Sequence, residues 1–315
     1  MMKKTIAIII VLAAMLVVTV GMVSANGGPH GGYTATTDGC AGCHRAHTAP
    51  GPRLVLADGT YDLCITCHGA AGSGANTNVD DGYFLSSRNP RSTTGVANTP
   101  DNAPLLGGGF VNYQGTAVTS THDATGVTNA AWGNGTTRGV TGALAENLSC
   151  ASCHDPHGSP NYRIMREIVN GNPVTIQQVD EGAAKDYDTE QWGTGTSTLC
   201  AACHDAYHRT NPGQATILDG GTYTHRVDMP YNFGANANPE TVGMSGYTLP
   251  LAESGTNNTV VCMTCHLPHG TSAQMTGQAN GGPSGTGTLP GNTTATDSAL
   301  LRLDNRGVCE VCHQK

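Results

Sequence analysis

All twelve cysteines of the 315-residue chain fall into six copies of Cys-x-x-Cys-His, with none left over. They are Cys40, Cys43 and His44; Cys64, Cys67 and His68; Cys150, Cys153 and His154; Cys200, Cys203 and His204; Cys262, Cys265 and His266; and Cys309, Cys312 and His313. One Cys-x-x-Cys is compatible with a redox dithiol, and two pairs with a zinc ion. Six copies that each end in histidine spell the haem c attachment motif. Two thiols one helical turn apart add across the two vinyl groups of a haem, and the next residue's imidazole reaches the iron. The twelve cysteines are therefore the expected attachment points of six haems c. His44, His68, His154, His204, His266 and His313 are the expected proximal ligands.

Seven histidines stand outside the motifs, and six irons need six distal ligands. One unit recurs three times: an upstream His, a Cys-x-x-Cys-His-x-x-His, a linker, and a plain Cys-x-x-Cys-His. The units span about 30–68, 122–204 and 225–313. This order assigns His30, His47, His122, His157, His225 and His269 as distal ligands and leaves His208 without a place. For each of these a surface position is the plain alternative. A histidine three residues after a proximal ligand lies on the same side of that ligand's haem. His47, His157 and His269 must then each serve a different haem, which implies an array. With both axial positions filled, no iron is open to a substrate. Met165, Met229, Met244, Met263 and Met275 read as packing residues.

The elements that hold the motifs are expected to be slight. Short helices are expected at the motifs, with Asp62, Ser149, Thr198, Thr259 or Asn305 as candidate caps just before them. The linkers rich in Gly, Thr, Asn and Ser, such as 69–149 and 270–299, show no sustained period and read as coil. One hairpin is expected, with Ile164–Val169 and Val174–Val179 flanking Asn170-Gly171-Asn172. Aromatic residues make up only 5% of the chain, so side chains alone bury little apolar area, and six porphyrins would supply the missing interior.

Lys3 and Lys4 precede an apolar run from Ile6 to about Val20, and Val23-Ser24-Ala25 is a small-residue cleavage pattern. Residues 1–25 read as an export signal, followed by one domain over 26–315. The same run, counted on to Val23, approaches the lower limit of a membrane span. The net charge of −8 argues against nucleic acid as a partner.

With its motifs laid out, the chain resembles multihaem c-type cytochromes with doubled Cys-x-x-Cys-His motifs. More narrowly, it is similar to the extracellular cytochrome filaments of metal-reducing bacteria and archaea. The points of similarity are His30, Cys-Ala-Gly-Cys-His-Arg-Ala-His at 40–47, the haem density and the scarcity of regular structure. The resemblance implies a coil-rich fold wrapped around stacked haems, with one histidine donated to a haem of the neighbouring subunit. The matching position here is His47. Electron transfer without a catalytic centre is the expected activity. Partners would be further copies of the chain, other cytochromes or extracellular electron acceptors, and the location extracellular or cell-surface, otherwise periplasmic. A soluble electron shuttle, a multihaem reductase with an open axial position and a haem-stabilised structural component are the alternatives.

Overall fold

The computed structural model describes residues 30, 38–72, 75–85, 102–135, 140–178, 192–208, 224–231, 249–253, 258–276 and 298–313. The expected export signal lies outside them. Helices are few and short and sheets are small, as the composition predicts. Among the described residues the helices are α1 (Asp38–Ala41), α2 (Thr60–His68), α3 (Cys150–Cys153), α4 (Thr196–His204), α5 (Cys262–Cys265) and α6 (Val308–His313). Each carries or abuts one motif.

The two motifs of a unit fold differently. In α2, α4 and α6 the motif histidine is the last helical residue. In α1, α3 and α5 there is a single turn, and the histidine beyond it is extended and enters a β-bridge. The bridge recurs at equivalent places: His44 with Val55, His154 with Met165, His266 with Leu301. Around each, the backbone bonds repeat. Arg45, Asp155 and Leu267 N–H donate to the carbonyls of Leu54, Ile164 and Leu300. Leu56, Arg166 and Arg302 N–H donate back to Cys43, Cys153 and Cys265. Two consecutive residues of every returning segment have positive φ: Arg53 and Leu54 (59° and 61°), Arg163 and Ile164 (52° and 52°), Ala299 and Leu300 (50° and 62°). None is glycine, and each costs about 1–2 kcal/mol in that conformation. The same strain three times marks a built feature, a clamp closing on the first motif histidine of each unit.

Of the expected caps only Ser149 sits at an N-cap. Asp62 and Thr198 lie inside longer helices whose N-caps are Gly59 and Gly195, Thr259 is in a strand, and Asn305 is in a 3-10 turn. At α3 and α5 the motif caps itself: Ser152 Oγ accepts from Ser149 N–H at 3.0 Å, and Thr264 Oγ1 from Val261 N–H at 3.1 Å. Gly195 is required where it stands. Its φ of 94° is left-handed, and a Cβ there would strike the Thr175 carbonyl.

The expected hairpin is present but smaller. Ile168–Val169 pairs with Asn172–Pro173 around Asn170-Gly171, whose φ values of 48° and 78° suit a type I′ turn. Asn172 is therefore a strand residue, and Ile164 belongs to the second clamp. Nor is it alone, since Asn112–Tyr113 pairs with Thr116–Ala117 around Gln114-Gly115. A pairing of Ser120–Thr121 with Gly270–Thr271 stitches the second unit to the third.

The main apolar cluster joins Tyr162, Met165, Val169, Val174 and Ile176 to Leu199 of α4 and Met263 of α5. At its edge Asn161, 3% exposed, accepts from Ile176 N–H at 2.8 Å and donates to the carbonyls of Arg166 and Val174 at 3.1 and 3.0 Å. Replacing it strands three buried backbone groups. Asn161→Leu is expected to destabilise the folded protein by about 3 kcal/mol, read as a fall in the denaturant midpoint at unchanged slope.

Candidate functional site

The clamps aim the motif histidines by a hydrogen bond to Nδ1. His44, His154 and His266 Nδ1 lie 3.1, 3.1 and 2.9 Å from the carbonyls of Arg53, Arg163 and Ala299. His204 Nδ1 is 2.6 Å from the Trp132 carbonyl, and His68 Nδ1 is 2.7 Å from Thr77 Oγ1. Among the upstream histidines, His30 and His122 Nδ1 meet the carbonyls of Pro156 and Pro268 at 3.0 and 2.6 Å, and His225 that of its own neighbour Arg226 at 2.7 Å. A proton held on Nδ1 leaves the Nε2 lone pair free for a metal. Burial pushes His122, His154 and His266 below the usual imidazole range, and His269 down to about 3, so these rings are neutral as ligands must be.

Ten of the thirteen histidines meet as five pairs. Ring centroids are 6.1 Å apart for His30 and His68, 6.2 Å for His44 and His157, and 6.1 Å for His122 and His204. They are 6.4 Å apart for His154 and His269, and 6.2 Å for His225 and His313. Two imidazoles bound through Nε2 to opposite sides of one metal ion, at about 2 Å each, have centroids about 6 Å apart. Every pair contains one motif histidine and one from outside the motifs, and none of the twelve cysteines is in a disulfide. These residues fit haem c held by two thioethers and two imidazoles.

The pairs follow one rule. The first motif histidine of a unit meets the second histidine of the next unit's doubled motif, as in His44 with His157 and His154 with His269. The second motif histidine of a unit meets its own unit's upstream histidine, as in His68 with His30. Three histidines remain: His47, His208 and His266. His208 holds Asp228 through Nε2 at 2.7 Å, with both side chains about a quarter exposed. His47 is exposed, and no imidazole among the described residues faces His266.

The attachment cysteines succeed one another in chain order. The Cys43 thiol is pushed up by burial and by nearby Cys67 and Cys64. The Cys64 and Cys150 thiols lie close together where α2 meets α3, as do those of Cys200 and Cys262 where α4 meets α5. Between these joints Cys153, pushed up to about 12, lies near Cys203. At the C-terminal end Cys265, also pushed up to about 12 by burial, lies near Cys312 and Cys309.

The His208–Asp228 bond is expected to contribute about 1 kcal/mol. A double-mutant cycle of His208→Ala and Asp228→Ala in chemical denaturation checks it, and additive losses would show the pair to be energetically idle.

Two segments, residues 33–73 and 142–171, match the family model for the doubled CXXCH motif. No curated protein and no solved structure matches the chain. The matched segments support a multihaem c-type cytochrome, and their motifs indicate covalently bound haem c.

Proposed function

We propose that the chain carries six bis-His haems c in one continuous row and is the repeating subunit of an extracellular filament that conducts electrons outward. The observation that carries this reading is the imidazole ledger. Five motif histidines have an imidazole about one metal-and-two-bonds away. The sixth, His266, has none among the described residues, and the histidine left over for it, His47, is exposed at the other end of the order of units.

Continuing the rule, the first motif histidine of the third unit takes its partner from the first unit of another copy. A contact of this head-to-tail kind propagates into a filament where its rotation does not close into a ring. When bound, each haem c would be held by the two cysteines of a motif and a pair of histidines and would supply a one-electron iron couple. The chain's residues hold eight of the imidazoles by Nδ1, keep the buried His122, His154, His266 and His269 neutral, and set consecutive attachment cysteines close together. No motif has lysine in place of histidine, and with His47 of the next copy serving the site of His266 no open position of the kind a reductase needs is left.

Two measurements test this. Mass spectrometry of the haem-loaded chain should show six haem masses. His47→Ala should yield haem-loaded single copies with one high-spin haem in electron paramagnetic resonance, whereas His208→Ala should keep all haems low-spin. Wild-type preparations containing only monodisperse particles would reduce the protein to a soluble shuttle.

A further inference from the structure

The two internal joints between units share two features beyond the exchanged imidazole. In each, the second-motif helix of one unit packs on the first-motif helix of the next, α2 on α3 and α4 on α5, with the first cysteines of the two motifs close together. In each, the upstream histidine of one unit directs Nδ1 at the carbonyl two residues after the first motif histidine of the next: His30 at Pro156, His122 at Pro268.

At the two ends of the row the equivalent residues are left over. Cys40, Ala41, Gly42, Ala46 and His47 are all exposed, whereas Met263, which stands where Ala41 does, is 1% exposed in the cluster with Leu199 of α4. On α6, Cys309, Glu310 and His313 are exposed, whereas Cys64 and Cys200 at the same place are half-buried. His225 turns Nδ1 to the carbonyl of adjacent Arg226, with no counterpart of Pro156 or Pro268 to meet.

We infer that the joint between copies is a third edition of the internal joint, with α6 of one copy seated on α1 of the next, Cys309 against Cys40, and His225 Nδ1 turned to the Ala46 carbonyl. This rests on the filament reading and adds to it a surface, an orientation and a register. The operation that carries one unit to the next inside the chain also carries the third unit to the first unit of the following copy. The filament is then a continuous helix of two-haem units, and the chain ends interrupt it only covalently.

Cryo-electron microscopy of the haem-loaded protein from its native host tests the inference, with Ala41→Glu alongside. Glutamate is tolerated within a motif, since Glu310 follows Cys309 in the sixth, but at position 41 it would place a charge where Met263 is buried in the internal joint. The expected result is wild-type filaments in which the unit-to-unit operation is the same within and between copies. The Ala41→Glu protein should keep its haem content by mass and form no filaments. Filaments in which His47 reaches the site of His266 while α6 lies away from α1, or unchanged filaments from Ala41→Glu, overturn the joint and leave the filament reading standing. Absence of wild-type filaments overturns both.

Discussion

An imidazole three residues beyond another in the chain cannot pass to the far side of a flat ring that the first one touches. The His-x-x-His segments of this protein are built on that constraint. His157 and His269 follow His154 and His266 closely, yet each turns to a histidine of the preceding unit, His44 and His154 respectively. Each unit therefore stabilises its predecessor, and no unit is complete alone. The small sheets and single-turn helices do not need to carry a large core, because the contacts that matter run between motifs.

The second necessity is direction. An imidazole on a free side chain points anywhere, and here it is aimed by a carbonyl on Nδ1. Setting that carbonyl correctly takes two consecutive residues at positive φ, in segments as different as Pro-Arg-Leu-Val, Tyr-Arg-Ile-Met and Ser-Ala-Leu-Leu. Even β-branched Ile164 is held so. Strain accepted in unlike sequences at the same place, immediately before the residue that bridges to the histidine, is evidence that geometry at the histidine, and not local preference, governs these segments.

What could be read from the sequence divides along the same line. Covalent chemistry is local, so the six motifs, the short helices on them and the coil between them were legible from spacing alone. The hairpin was legible through Asn170-Gly171, though its strands proved shorter. The clamps were not legible, because Arg53, Leu54, Arg163 and Ile164 carry no sign of left-handed backbone. Nor, apart from Ser149, were the caps, because Ser152 and Thr264 reach backward from inside the motif. Which imidazoles meet is a long-range matter that spacing limits but does not decide. The isolation of His266 emerged only from the coordinates.

The third clamp differs from the others in one respect. Its histidine and the carbonyl that aims it are 33 residues apart in the chain, against 9 in the first and second units. Closing the longer loop costs roughly 1 kcal/mol more in chain entropy. The least cheaply formed of the three holds is thus the one around His266, which faces no other imidazole among the described residues. In the proposed filament, order at the growing end would be completed by the arriving copy, so that maturation and elongation would be a single event.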